Sequence, residues 1–357
     1  MRVLQLIDSL RPGGAEKMAV NIANALLPHV EGSFLCCTRQ EGMLRDELKP
    51  EVGYLFLNKK SSLDPKAILK LRNYIRKNKI DIVQAHSTSF FLAGLLKSSG
   101  SRFKLIWHDH YGESENLEAR DYKVLKKFSR LFSGIISVNT ALKEWAFQKL
   151  DCKNVIEIKN FIPEPDPAAN AKIQLRGNKD DFKIICVANL RPQKDHFNLL
   201  AAFEMLEPDL GISLHLIGED PGTEYSESIL KELTNSPVKE KIFYYGSQPE
   251  IITLLKQADV GVLSSRSEGL PLALIEYGMA GLSVVCTDVG QCGDVLGGFG
   301  ELVVKENPVE LSMGIQRSFL NPEDVKIKSW DFSNKVRLVY SEKGVLNSLL
   351  EFYNGIY

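Results

Sequence analysis

The sequence predicts an α/β protein of two consecutive, doubly wound parallel-sheet domains. Three observations carry that expectation. Short apolar runs alternate with longer stretches of helical periodicity along the 357-residue chain. A proline-rich segment interrupts the alternation once, at residues 160–171. The alternation then restarts, and each half opens with a strand pattern followed by an L-R-P loop: Leu10-Arg11-Pro12, then Leu190-Arg191-Pro192. The length suits two domains at roughly 100 to 200 residues each.

Taken in order, VLQLI (3–7) reads as a buried strand, and from Ala15 the apolar positions Met18, Ala19, Ile22, Ala23 and Leu26 follow helical spacing. SFLCC, DIVQA, KLIWH and GIISV read as further strands, with helices at 65–78 and 140–149. In NFIPEPDPAANA, Pro163, Pro165 and Pro167 make a stiff, extended connection, which places a boundary between domains at 1–163 and 164–331. KIICVANL (183–190) reopens the pattern as a strand, and HFNLLAAFEML (196–206) follows as a helix. SLHLIG, KIFYYG, VGVLSS, LSVVCT and ELVV are expected strands, with helices at 226–235, 249–257, 271–280 and 308–320. Residues from about 332 read as a long helical tail.

The composition, 44% hydrophobic and 25% charged, is that of a soluble globular protein. No run of about 18 apolar residues is present, so no spanning helix is expected. Asp8 breaks the first apolar run too early for a signal-peptide core. The six cysteines show no CxxC pair and no metal-ligand spacing, and several sit in strand-like runs as small core residues, so a reducing cytoplasm is expected. The net charge of −1 hides a split: residues 1–163 carry 26 Lys+Arg against 17 Asp+Glu, a net of +9, and the remainder is −10. Residues 59–79 alone hold eight bases and one acid, and YKVLKKFSRLF (122–132) mixes bases with aromatics. These are either solvated helix faces or a peripheral contact with anionic lipid headgroups. Nucleic acid is not expected, because no nucleic-acid module accompanies the charge.

Ligands of open parallel sheets bind beyond the carboxyl ends of the strands. In SLRPGGAEK, two glycines precede a helix whose N-terminus favours an anion; a tight turn is the plainer alternative. His86 follows one strand, and His108 and His110 flank Asp109 after another. The H-D-H cluster has no evident partner carboxylates for a metal, so hydrogen bonding to a polyhydroxylated ligand is the preferred reading. In NLRPQKDH, Arg191 and Lys194 fit a diphosphate, the arginine as a fork and the lysine as a point charge. In SRSEGLPLALIEYGMAG (265–281), Pro271 suits the first turn of a helix that stops at Gly281. Glu276 lies inside that apolar helix and needs either a cation or hydroxyl donors; an ionised carboxylate suits a ribose diol. The N–H groups near Gly269 and Leu270 precede the helix, where phosphate binds, with Glu268 on the same loop.

These residues resemble the retaining glycosyltransferases of family 4, whose signature is S-R-x-E-G-x-P followed by E-A-x-A-x-G. The similarity runs on through VVCTDVG, ADVGVL, YYG and LRPQK, and more loosely through GGAE, IISVNTALKEW and IKNFI. The resemblance implies the GT-B fold: two Rossmann-like domains facing across a cleft, the first binding the acceptor and the second a nucleotide-diphosphate sugar such as a UDP- or GDP-sugar. It implies that the final helix, about 332–357, returns to the first domain. It also implies sugar transfer with retention, with no metal or cofactor, to a glycan or lipid-linked acceptor at the cytoplasmic face of a membrane. By position, Glu276 would bind the ribose hydroxyls and Glu268 the donor sugar, while Gly269 and Leu270 supply backbone donors. Lys194 would neutralise the leaving diphosphate, Gly14 would approach the donor phosphates, and Ser247 and Gln248 fall where the base is recognised. His108, or His110 two residues on, matches a histidine near the reacting sugar. Gly13, Glu16, His86 and His110 are expected on the acceptor side. Three positions depart from the pattern. Ala188-Asn189-Leu190 replaces G-R-L, so Arg191 is expected to take the missing arginine's role. Asn160-Phe161-Ile162-Pro163 replaces N-G-I-D, and Tyr277 replaces a small residue. A nucleotide-sugar 2-epimerase and an inactive scaffold subunit are the rival readings.

Overall fold

The computed structural model describes residues 1–112, 114–163, 173–206, 211–249 and 251–357. The chain divides into two compact units, Met1–Pro163 with Glu342–Tyr357, and Glu164–Ser341. The extended connection expected over 164–171 lies outside the described residues.

The first unit is built from β1 (Arg2–Ser9), α1 (Gly14–Ala25), β2 (Gly32–Gln40), β3 (Gly53–Phe56), α2 (Pro65–Lys77), β4 (Ile82–His86) and α3 (Phe90–Ser98). It continues with β5 (Lys104–Asp109), α4 (Lys123–Ser129), β6 (Gly134–Ser137), α5 (Thr140–Lys149) and β7 (Val155–Glu157). The seven strands form one sheet in the order β3-β2-β1-β4-β5-β6-β7, and every pairing is parallel. Each face carries an apolar core, as a doubly wound sheet requires. On one face Leu4, Leu6, Val83, Leu105 and Trp107 pack with α2 residues Ala67, Leu71 and Ile75. On the other, Val3, Ile82, Ile106 and Ile136 pack with Met18 and Ile22 of α1 and with the C-terminal residues Leu349, Phe352 and Tyr353. Asp64 caps α2, its carboxylate accepting from the N–H groups of Lys66 and Ala67, and Pro65 opens the first turn.

The second unit holds β8 (Phe182–Val187), α6 (His196–Glu204), β9 (Ile212–Ile217), α7 (Glu224–Asn235), β10 (Ile242–Tyr244), α8 (Ile251–Leu255) and β11 (Val260–Leu263). It closes with α9 (Leu272–Ala280), β12 (Ser283–Thr287), α10 (Cys292–Leu296), β13 (Glu301–Val303), α11 (Pro308–Leu320) and α12 (Pro322–Tyr340). Its sheet has the order β10-β9-β8-β11-β12-β13, again all parallel. In each sheet the strand order reverses once, between β1 and β4 and between β8 and β11, which are the points where such sheets bind ligands.

Two sequence expectations are corrected here. The tail is not one helix from about 332. Phe332 and Val336 are fully buried and press on Gly278 of α9, where an added Cβ would meet Val336 at 2.5 Å and Phe332 at 3.0 Å. That close helix crossing keeps 332–341 in the second unit, and only α13 (Glu342–Ile356) returns to the first. Pro271 is the N-cap of α9 rather than its first helical residue, with extended φ and ψ of −75° and 103°. The helix ends as expected at Gly281, in the left-handed conformation at φ +80°. All six cysteines are buried and free. Among the described residues no helix is long and apolar enough to cross a membrane.

Candidate active site

In the second unit the loop after β8 and the loop after β11 meet at the point where the strand order reverses. Lys194 ends a short turn, Pro192–Lys194, and Asp195 follows in the left-handed conformation at φ +48°. Lys194 Nζ bonds Glu268 Oε1, and Ser265 Oγ donates to the same oxygen at 2.6 Å. Glu268 is 6% exposed, so its charge is held by these two partners. The loops are braced beside them. Ser264 Oγ donates to Lys194 O at 2.9 Å, Arg266 N to Gln193 O at 2.8 Å, and the Arg266 guanidinium grips Asp195 at 2.9 and 3.2 Å. Thr287 Oγ1 donates to Ser265 O at 2.6 Å.

Gly269 and Leu270 follow Glu268 and lead to the N-terminus of α9, which carries no side-chain cap. Gln291 N donates to Gly269 O at 3.2 Å. Gly290, at φ +52°, comes so close that a Cβ there would stand 1.8 Å from Glu268 O. A third strand-end loop is thereby pressed onto the Ser-Glu-Gly turn. The uncapped N–H groups, beside a lysine whose pairing with Glu268 a phosphate can replace, make a corner suited to a phosphate.

Glu276 lies on α9 a turn beyond this corner and is half-buried, not enclosed as its apolar neighbours suggest. Two neighbours take the inward positions instead. Tyr277 is fully buried, its hydroxyl donating to Val262 O at 3.1 Å and accepting from Val187 N at 2.8 Å. Gly278 faces α12. Glu276 is thus on the flank of the helix between them. Arg191 is exposed, and Asn189 is committed elsewhere, its Oδ1 accepting from Glu219 N at 2.9 Å. Ser247 Oγ is buried with no partner among the described residues. Gln248 Nε2 donates to Tyr245 O at 2.6 Å, and Gly246 turns at φ +65°.

In the first unit, Gly13 is the extended N-cap of α1 and Gly14 its first residue, with no side-chain cap. The Glu16 carboxylate folds back over this end, close enough that a Cβ on Gly13 would stand 2.3 Å from Glu16 Oε2. The histidines form one cluster. His86 and His108 are paired in register on β4 and β5, and His110 lies two residues on, along the same face. Ring centroids are 4.0 Å apart for His108 and His110, and 4.9 and 5.2 Å for His86 with His108 and with His110. Gln5 and Gln84, in register on β1 and β4, continue the polar stripe inward. Gln5 Oε1 accepts from His86 Nε2 at 2.8 Å, and the Gln84 amide meets His108 Nδ1 at 2.9 Å. Tyr353 of α13 bonds both glutamine side chains. Burial drives all three imidazoles below their ordinary range, His110 to about 3, and neighbouring rings push His86 and His108 further down. Asp8, at the end of β1, accepts from Thr88 Oγ1 at 2.7 Å and from Thr38 Oγ1.

The sequence reading missed Gln5, Gln84, Tyr353 and Ser265 as partners of the predicted residues. The signal was the strand period: Gln5 and Gln84 are polar positions on otherwise buried strands, in phase with the histidines. The H-D-H cluster, which has no evident partner carboxylates in sequence, is joined in the structure by the His86 ring. Asp109 itself is turned away, paired with Arg120 at 2.7 and 2.8 Å.

Two family models match the chain. The model of the glycosyl transferases group 1 covers residues 168–330, and the model of glycosyltransferase family 4 covers residues 12–163. The chain is 24% identical to the UDP-Gal:alpha-D-GlcNAc-diphosphoundecaprenol alpha-1,3-galactosyltransferase of Escherichia coli, over 74% of this chain and 73% of that protein. It is 23% identical to the capsular polysaccharide biosynthesis glycosyltransferase CapH of Staphylococcus aureus, over 83% of each. Among solved structures it resembles Anabaena Alr3699/HepE in complex with UDP and glucose, with a TM-score of 0.83 at 16% identity, over 99% of this chain and 100% of that one.

Proposed function

This chain belongs to the family 4 glycosyltransferases of GT-B fold, and from that membership we propose that it moves a hexose-type sugar, with retention, from a nucleoside-diphosphate sugar to a glycan or lipid-linked hydroxyl. The observation that carries the proposal is the Lys194–Glu268 pair beside the uncapped N-terminus of α9. A sugar diphosphate needs its leaving group neutralised as the anomeric bond breaks. Preorganised donors and cations at that point act on charge that develops only in the transition state. Lys194, Arg191 and the N–H groups around Gly269 and Leu270 supply them from protein groups, so the transfer is proposed to need no metal at the diphosphate.

The remaining roles follow from position. Glu268 turns toward the sugar once Lys194 engages phosphate. Glu276, on the flank of α9, accepts from the ribose hydroxyls. The buried, unpartnered Ser247 hydroxyl is a donor for the base. In the first unit the match to the family pattern gives Gly14 a role at the donor phosphates and His108 one at the reacting sugar, with Gly13, Glu16, His86 and His110 on the acceptor side. Attack from the same face as departure, with the leaving phosphate taking the hydroxyl proton, gives retention. The similarity to a transferase named for a diphosphoundecaprenol acceptor and to one of capsular polysaccharide biosynthesis supports surface polysaccharide assembly. The structure with bound UDP and glucose supports a nucleotide-sugar donor. A cytoplasmic protein, peripheral at the membrane face, fits such an acceptor.

Lys194→Ala is expected to lower turnover by about 10²–10³ with the fold intact. The donor is found first by a thermal-shift screen of UDP- and GDP-sugars, since a ligand stabilises the state it binds. Turnover near wild type in Lys194→Ala would remove the phosphate role.

A further inference from the structure

The histidine cluster has the composition and spacing of a metal site. Among the described residues it is the one group of three or more His, Cys, Asp or Glu side chains able to share an ion, and one ring nitrogen from each lies within 4.8 Å of the others. We propose that His86, His108 and His110 form a three-imidazole site for a divalent first-row ion such as Zn²⁺, with its remaining position open to water or a substrate oxygen.

The lone pairs support it. The Gln5 carbonyl oxygen accepts from His86 Nε2 at 2.8 Å, so that nitrogen carries the proton and His86 Nδ1 keeps a bare lone pair. This is the outer-shell contact that ligating histidines make. His86 Nδ1 faces His110 Nε2 at 3.0 Å. Two nitrogens on one tetrahedral Zn²⁺ stand roughly 3.3 Å apart, given bonds of about 2.0–2.1 Å. The pair therefore needs to open by only a few tenths of an ångström. His108 is fully buried, and its Nε2 has no partner among the described residues. A buried imidazole nitrogen without a partner is costly unless something occupies it. Ligation through His108 Nε2 moves that ring's proton to Nδ1. There the Gln84 side chain accepts it once its amide turns end for end, a rotation that leaves the shape unchanged. Tyr353 then receives the Gln84 amide hydrogen in place of donating to the oxygen.

The chemistry selects the ion class. Three neutral imidazoles suit Zn²⁺, Ni²⁺ or Cu²⁺, and the lack of a carboxylate among them disfavours Mg²⁺ and Ca²⁺, which take oxygen ligands. Three protein ligands leave the coordination open, as in sites where an ion meets a further oxygen. The site lies in the first unit and takes as ligands the same histidines that the proposed function gives to the reacting sugar and acceptor, so it is tested with no sugar present, where its failure is distinguishable from failure of the transfer.

The test is the full-length chain, stripped with a chelator and titrated with Zn²⁺ by calorimetry, with no sugar present. One equivalent is expected to bind and to raise the melting temperature. His110→Asn, at the half-exposed edge of the cluster, is expected to weaken binding at least 100-fold. Gln5→Leu, which removes the outer contact, is expected to weaken it about 10- to 100-fold. X-ray absorption of the wild-type Zn²⁺ form reads the ligands without any variant, and three imidazole nitrogens are expected. No saturable binding, an affinity unchanged in His110→Asn, or fewer than three imidazoles in the metal's shell overturns the proposal.

Discussion

Tyr277 departs from the family pattern, and the structure gives the reason. Its ring is accommodated by Gly261, where an added Cβ would stand 2.5 Å from the aromatic carbons. Its hydroxyl ties α9 to the ends of β8 and β11. Tyr277→Phe strands the Val187 N–H and is expected to cost about 1–3 kcal/mol, read from urea denaturation. Nucleotide affinity should change far less, because the ring still fills its slot. Glu276 on the adjacent flank behaves oppositely. Glu276→Ala is expected to weaken nucleotide binding by about 10-fold or more, the scale of a charge-assisted pair of hydrogen bonds, with little loss of stability because the site is half-buried. Calorimetry with the nucleotide identified by the thermal screen reads this, and an unchanged affinity would count against the diol contact.

At the level of elements, the seat of α9 is set by two glycines on opposite sides of it. Gly261 lets β11 pass under Tyr277, and Gly278 lets α12 cross closely. Gly261→Ala forces a buried ring to move and is expected to destabilise by about 1–3 kcal/mol. Combining it with Tyr277→Ala should recover part of that loss, since the two changes share one contact; simple additivity in denaturation would refute the shared packing. The elements themselves were largely legible. Buried strands such as β1, β4 and β8 announced themselves as apolar runs, and α2, α5 and α11 by period and caps. The edge strands β3 and β7 were not seen, because they are short and only half-buried. The α3 and α10 helices were also unseen, and α4 was read only as one of two alternatives, a solvated helix face. The seven-residue α4 fully buries only Leu125 and Ser129 and exposes Lys123, Lys126 and Lys127 with Val124. The break at Ser341 was missed because helical periodicity runs through it.

Over the whole molecule the charge split acquires a location. Helices α2 and α4 pack into the same core of the first unit, so their outer faces lie on one side of it. There Lys66, Lys70 and Lys77 are exposed with Leu69, and Lys123, Lys126 and Lys127 with Val124. Tyr122, these three lysines of α4, and Arg130 with its ion-pair partner Asp151 line a groove. A basic face with apolar tips is expected to bind vesicles containing anionic lipid in low salt and to release them as salt rises. Co-sedimentation measures this, and equal binding to neutral vesicles would exclude the electrostatic contact.

The local pattern of the chain was enough to determine its two parallel-sheet units and the glycine-bounded helix after Glu268. Those features depend on side-chain period and on turn chemistry within a few residues. What only the tertiary structure decided is which loops meet. Lys194 finds Glu268 74 residues away because β8 and β11 adjoin where the sheet's order reverses. His86 finds Gln5 81 residues away, and His110 24 residues away, because parallel register puts β1, β4 and β5 side by side in phase. Strand order and register are set by long-range pairing, and no local spacing encodes them.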